Sequence, residues 1–145
     1  MVLVVIGPVL DAAFNAAFAQ ELAALGGAVR FHEAVPQEQL YAAVSDSRVL
    51  INSSKSEGLS NALIESMMLE CPVLARNIPG NAFFVTHNET GLLYDDLEQF
   101  EHLMHRLITD DEFVQRLKRQ ALEFVQREHS LEQEQRAYLS LLLSK

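Results

Sequence analysis

The stretch RVLINSSKSEGLSNALIESMMLECPVLA, residues 48–75, predicts a strand, a serine-rich loop, a helix and a second strand, in that order. Two acids stand out in it. Glu57 lies beside Gly58 in the loop, and Glu65 lies among the apolar residues of the predicted helix. A carboxylate in apolar surroundings needs a partner, because burying an unpaired charge is costly. The stretch therefore raises the question of what Glu65 binds.

Strands and helices alternate along the chain on both sides of this stretch. Such alternation is typical of an α/β fold, here a Rossmann-like, doubly wound parallel sheet with right-handed connections. The first strand is continuously apolar, so we expect it to be buried. The segment NIPGN, residues 77–81, is predicted to be a loop. The predicted strands are Val2–Ile6, Val29–Phe31, Arg48–Asn52, Pro72–Ala75 and Leu92–Tyr94. Asp11 is predicted to cap the first helix between them, and the next two helices begin at Pro36 and at about Ser60.

The composition changes after about Asp95, where charged amphipathic helices begin. We predict that residues 97–145 form a helical tail packed on the same domain or against a neighbouring molecule. The whole chain, residues 1–145, is thus expected to be one domain with its α/β core at residues 1–96. The predicted tail helices are Leu97–Ile108, Asp111–Arg127 and Leu131–Leu143.

Charge and composition argue against several classes of function. A net charge of −9 and a pI near 4.9 disfavour nucleic acid and an anionic membrane surface as partners. No apolar run reaches the ~18–20 residues of a membrane span. Cys71 is the single cysteine, which excludes an internal disulfide framework and a cysteine-based zinc site. His102 and His105 are three residues apart, but no third ligand is clearly placed beside them, so we expect no metal.

The serine-rich loop has the composition of a phosphate-binding site. Its small residues let a ligand approach the backbone, and the amides of Leu59, Ser60 and Asn61 would be free at the start of the helix. Ligands of open parallel sheets bind at the carboxyl ends of strands, where this loop lies. Other interpretations stay open: Glu57 as a favourable charge at the helix N-terminus, and Glu65 in a structural salt bridge or on a partly exposed face.

The segment SEGLSNALIESMMLECPVLARNIPGN, continued after residue 86 by HNETGLLYDD, resembles the signature of retaining nucleotide-sugar glycosyltransferases with the GT-B fold. In that family an E-x7-E helix is followed by a C/G-x-P-V-φ-A strand, a glycine-bearing loop and an N/G-E-T-G-L-L turn. The resemblance covers roughly Val2 to Asp96, and HSLEQEQRAYLSLL (residues 129–142) resembles the family's closing helix. It implies that the chain is the C-terminal, donor-binding half of such an enzyme.

The resemblance also implies roles for the two acids. Glu57, the catalytic residue of the set, would lie beside the hydroxyls of the donor sugar. Glu65 would accept hydrogen bonds from the ribose hydroxyls of the nucleotide. A carboxylate that waits for two hydroxyl donors becomes satisfied when the nucleotide arrives.

The remaining candidate residues would surround the donor diphosphate. Gly80 would line the same cleft, and Lys55, together with Arg76, would supply positive charge. The donor substrate would be a nucleoside diphosphate sugar, and the resemblance implies no cofactor and no metal. The backbone that would hold the diphosphate belongs to Gly58, Leu59 and Ser60.

Two parts of the family's pattern are missing from this sequence. The N-terminal domain, which binds the acceptor and would complete the active site, has no counterpart here. The family's C-terminal domain normally begins with one more strand, which lies in the sheet between the strands that correspond to Val2–Ile6 and Arg48–Asn52. That opening part of the domain also carries an Arg and a Lys that hold the diphosphate. Either the two strands close up directly or the chain is a truncated product of a longer gene. We therefore expect the isolated chain to be inactive, or nearly so, as a hexosyltransferase.

A second, non-catalytic interpretation is also open. As a truncated isoform, the chain would serve as a binding or interaction module that uses its acidic helical part, Glu98 to Lys145. The sequence does not identify the sugar, the base or the acceptor. We expect a cytoplasmic location unless residues upstream of Met1 carry a leader.

Overall fold

The computed structural model describes residues 2–129, and their strands and helices follow the predicted order. The chain divides into two compact units, the first ending at Tyr41 and the second beginning at Ala42. The predicted helix Leu131–Leu143, and with it nearly all of the motif that resembles the family's closing helix, lies outside the described residues. That the whole chain forms one domain stays a prediction.

The first unit contains a two-stranded parallel sheet and a helix. Strand β1 is Leu3–Ile6, helix α1 is Ala12–Ala24 and strand β2 is Val29–His32; helix α2, Gln37–Ser45, begins in this unit. The Asp11 carboxylate accepts hydrogen bonds from the amides of Ala13 and Phe14 at 2.8 and 2.9 Å, which confirms it as the cap of α1. After α1 the chain turns through Gly26 and Gly27, both at positive φ.

The prediction that the first strand is buried was wrong. Val2, Leu3 and Val4 are each between 43% and 48% exposed, and α1 contains no buried residue. Burial of a continuously apolar strand requires cover on both faces. Two strands and one complete helix provide too little surface to give that cover within this unit.

The second unit contains a three-stranded parallel sheet in the order β3-β4-β5. Strand β4 is central and forms hydrogen-bonded ladders with both neighbours. The elements are β3 (Leu50–Asn52), α3 (Asn61–Met68), β4 (Val73–Arg76), α4 (Pro79–Ala82), β5 (Leu92–Tyr94), α5 (Leu97–Thr109) and α6 (Asp111–Glu128).

Both faces of this sheet are covered, because β4 sends alternate side chains into two apolar clusters. Leu74 joins a cluster formed with β5, α5 and the first half of α6. Val73 and Ala75 join a second cluster with α3 and the later part of α6. All three side chains are fully buried. The α/β fold class is therefore confirmed, and the described helices of the predicted tail supply much of this core.

NIPGN was predicted to be a loop, and this was wrong. Pro79–Ala82 forms the short helix α4, which has proline at its first position. The proline ring fixes φ near the helical value, and the amide that it lacks has no partner at that position anyway. Only Asn77 and Ile78 connect β4 to this helix.

Two further findings concern the single cysteine and the possibility of a membrane-spanning helix. Cys71 is a free, buried cysteine, and burial raises the pKa of its thiol above the ordinary value. Among residues 2–129, no helix is both long enough and apolar enough to cross a membrane.

Candidate functional site

Three loops leave the same edge of the second unit's sheet. The strands are parallel, so the segments that follow β3, β4 and β5 all begin at their carboxyl ends. The loop after β3 carries Glu57 and leads into α3, while the two residues after β4 lead into α4. The parallel topology therefore places the loop with Glu57 and the helix with Gly80 at the edge where parallel sheets bind ligands.

Asn52, the last residue of β3, contacts the loop after β3, the helix α4 and the strand β5. Its side-chain nitrogen donates to Glu57 Oε1 at 3.4 Å and to Ser60 Oγ at 3.3 Å. Its side-chain oxygen accepts from the amide of Ser54 at 3.1 Å. From β5, the Tyr94 hydroxyl donates to the Asn52 carbonyl at 3.4 Å. Glu57 and the start of α3 are thus connected through one amide side chain.

Asn81 in α4 supports Asn52 from the other side. It is fully buried, and its side-chain nitrogen donates to Asn52 Oδ1 at 3.2 Å and to the Arg76 carbonyl at 2.9 Å. Both hydrogens of the Asn81 amide therefore point at acceptors, which fixes the orientation of the group. Its oxygen is buried and has no hydrogen-bond partner among the described residues.

Gly80 lies directly against the loop that carries Glu57. A Cβ at this position would stand 2.5 Å from the carbonyl oxygens of both Glu57 and Gly58, a distance that real Cβ atoms do not tolerate. Only glycine permits this approach. The structure thus brings Gly80 and the Glu57–Gly58 backbone together.

Glu65 is half-buried on α3, which agrees with the open alternative of a partly exposed face rather than with full burial. The buried residues of α3 are Leu63, Ser66 and Met67, and Met68 next to them is 58% exposed. The helix thus has one apolar face, and Glu65 lies at its margin. Among the described residues its carboxylate has no ion-pair partner.

The start of α3 has unused hydrogen-bond donors. Ser60 is the N-cap, but its side chain makes no capping hydrogen bond, and it is only 6% exposed. Within the described chain, the amides of Leu59, Ser60 and Asn61 donate no hydrogen bond. Amides of this kind, at the positive end of a helix, attract anions.

The two expected cations differ in placement. Lys55 is exposed and forms no ion pair with a described residue. Arg76 is half-buried, with its guanidinium 5.6 Å from the centre of the Tyr94 ring. Its Nε is buried and has no hydrogen-bond partner in the described structure. Lys55 is thus the more accessible of the two to a ligand.

No role was predicted from the sequence for Asn52 or Asn81, although in the structure Asn52 contacts Glu57 and Ser60, and Asn81 contacts Asn52. A polar residue that ends an apolar strand was the available signal for Asn52. For Asn81 the signal was an amide side chain directly after Pro79-Gly80. Neither signal indicates that the two side chains meet, because they are 29 residues apart.

Another groove of the second unit contains none of the predicted site residues. His87 Nδ1, at its edge, accepts a hydrogen bond from the Leu93 amide at 3.0 Å. The groove is lined by His87, Asp96, Glu98, Gln99, His102 and Leu103.

No group of three or more potential ligands for a metal ion occurs within residues 2–129. The absence of a metal requirement stays a prediction.

Comparison with known proteins gives a family match over most of the chain. The profile described as "Glycosyl transferases group 1" matches residues 1–124. Glycosyltransferase 1 domain-containing protein 1 from Xenopus tropicalis is 40% identical over 142 residues. That match covers 98% of this chain and 41% of the relative, so the chain spans less than half of the relative's length.

Solved structures show the same fold. Anabaena HepE in complex with UDP-glucose superposes with a TM-score of 0.82 at 18% identity, over 98% of this chain and 41% of that chain. Sucrose-phosphate synthase from Thermosynechococcus elongatus superposes with a TM-score of 0.81 at 25% identity, over 98% of this chain and 39% of that chain.

Proposed function

This chain belongs to the group 1 glycosyl transferases, and from that premise we propose that it binds the nucleoside diphosphate sugar donor of a retaining hexosyltransferase. The observation that carries the proposal is the state of Glu65. Glu65 is half-buried beside an apolar helix face, and its carboxylate has no ion-pair partner among the described residues. Two ribose hydroxyls would supply the missing donors.

The other site residues take complementary roles in this proposal. The free amides of Leu59 and Ser60 hold the diphosphate at the start of α3, with Lys55 as the nearby cation. Glu57 faces the donor sugar, and the close approach of Gly80 keeps the Glu57–Gly58 backbone in place. The solved complex of HepE with UDP-glucose, which has the same fold, supports a donor of this class.

Catalysis by the complete protein would depend on positioning and charge stabilisation. The acceptor attacks from the face that the leaving diphosphate occupies, and amides and cations stabilise the charge that develops on that diphosphate. No metal takes part in this proposal. The acceptor would be held by the part of the relatives' length that this chain does not span.

Isothermal titration with UDP, GDP and ADP tests the proposal. We expect one of them to bind, and Glu65→Ala to weaken that binding by about tenfold or more, the value of one or two hydrogen bonds to a charged group. Glu101→Ala, which removes an exposed acid from α5, is the matched control and should bind as the wild type does.

Two results would contradict parts of the proposal. If none of the three nucleotides binds, the chain is not a donor-binding unit, and the non-catalytic interpretation gains. If the isolated chain transfers sugar from a nucleotide sugar to any acceptor, its proposed inactivity is wrong while donor binding stands.

A further inference from the structure

We propose that Asn52 is a positioning residue that orients the Glu57 carboxylate towards the donor sugar, and that Asn81 fixes the orientation of Asn52. This inference rests on the proposed function, because it assigns Glu57 to the sugar. It concerns two side chains that the family resemblance did not bring to attention.

The first step is the orientation of the Asn52 amide. Its oxygen accepts two hydrogen bonds, from the Ser54 amide at 3.1 Å and from Asn81 Nδ2 at 3.2 Å. Both donors are unambiguous, since the Asn81 nitrogen also donates to the Arg76 carbonyl, which can only accept. The nitrogen of Asn52 must therefore face the opposite side, where Glu57 and Ser60 lie.

The second step is the effect on Glu57. One carboxylate oxygen accepts from Asn52 at 3.4 Å, which leaves the other oxygen for a ligand. Hydrogen bonds of this length are weak, and they commonly shorten when a substrate completes the site. The second hydrogen of Asn52 points to Ser60 Oγ at 3.3 Å, which connects Glu57 to the cap of α3.

The third step is that position 52 requires an amide, which offers an acceptor to Ser54 and Asn81 and a donor to Glu57. An aspartate at position 52 keeps one oxygen for the Ser54 amide and for Asn81, so these two contacts stay. Its other oxygen would face Glu57, and the two carboxylates would repel each other. Asn52→Asp thus changes the contact with Glu57 without changing the size of the side chain.

The test compares two ligands: whichever of UDP, GDP and ADP binds tightest, and its glucose ester. In Asn52→Asp we expect the ratio of the two affinities to shift by about tenfold against the sugar ester. A merely structural role lowers the population of the competent site and weakens both ligands by the same factor, so the ratio would not move.

Two further variants complete the experiment. Asn77→Asp is the matched control, because the exposed Asn77 also donates to a carboxylate, Asp95 Oδ1 at 2.9 Å. It should leave the ratio unchanged. In the double variant Asn52→Asp/Glu57→Gln, the amide at position 57 donates to the carboxylate at position 52. The hydrogen bond of the wild type is thus reversed, and the net charge stays the same. Asn52→Asp alone should lower the melting temperature, because its carboxylate repels Glu57, and the double variant should restore the wild-type value. The affinity ratio should stay low in the double variant, because the Glu57 carboxylate is gone.

The outcomes separate the two proposals. If the wild type binds a nucleotide but Asn52→Asp leaves the ratio within about twofold of the wild-type value, the positioning role is overturned and the donor-binding function stands. A ratio that moves equally in Asn77→Asp also overturns it. If the wild type binds none of the ligands, both proposals fail together.

Discussion

At the scale of single residues, the site depends on one close approach and one shared side chain. Gly80 allows α4 to approach the Glu57–Gly58 backbone, and Asn52 connects Glu57 to Ser60. Neither contact involves neighbours in the sequence. The amino acids at these positions are therefore constrained by atoms that the chain brings together only on folding.

Gly80→Ala should destabilise the second unit by about 1–3 kcal/mol, because the added Cβ meets two carbonyl oxygens that cannot move independently. The gain in helix propensity, roughly 1 kcal/mol at most and less at a helix end, does not offset this clash. Urea unfolding followed by far-UV circular dichroism measures the difference.

Gly58→Ala is the control for this prediction. A Cβ on Gly58 meets no atom within 4 Å, so its effect on unfolding free energy should stay within about 0.5 kcal/mol. Equal stability of the two variants would show that the approach of α4 to the loop does not constrain position 80.

At the scale of elements, β4 and α6 form the core of the second unit. Strand β4 is buried on both faces, and α6 contributes Phe113, Val114 and Leu117 to one cluster and Ala121 and Val125 to the other. The polar face of α6 carries the charges that led to its prediction as part of a tail. Its apolar face packs into the two clusters around β4.

Leu74→Ala should lower the unfolding free energy by about 2–5 kcal/mol, because it opens a cavity at a fully buried position in the central strand. Leu97→Ala removes the same atoms from a side chain that is 69% exposed, and should cost less than about 1 kcal/mol. Chemical denaturation of the two variants tests this. Comparable losses in both would contradict the central position of β4.

The order of the elements could be predicted because it depends on local periodicity. Short runs rich in apolar residues marked the strands, and Asp11 marked the start of α1. The helix at Pro79–Ala82 was missed because it has only four residues, too few for a periodic pattern. The exposure of β1 was missed because hydropathy predicts which residues favour burial and does not show what covers them.

At the scale of the whole molecule, the candidate site could be predicted in part. Glu57, Gly58, Ser60 and Gly80 were identified from one contiguous segment, and the structure brings their loops together. The Asn81–Asn52 contact could not be identified in this way, since its partners belong to different elements. The chain spans 41% of the length of its Xenopus relative.

The central claim is that Glu65 holds the ribose of a nucleotide, and one titration tests it most directly. The nucleotide that binds tightest should be compared with its 2′,3′-dideoxy form, on the wild type and on Glu65→Ala. The account predicts that the wild type prefers the complete ribose by about tenfold or more, and that Glu65→Ala loses this preference. Equal binding of the two forms by the wild type, or a preference that persists in Glu65→Ala, would contradict it.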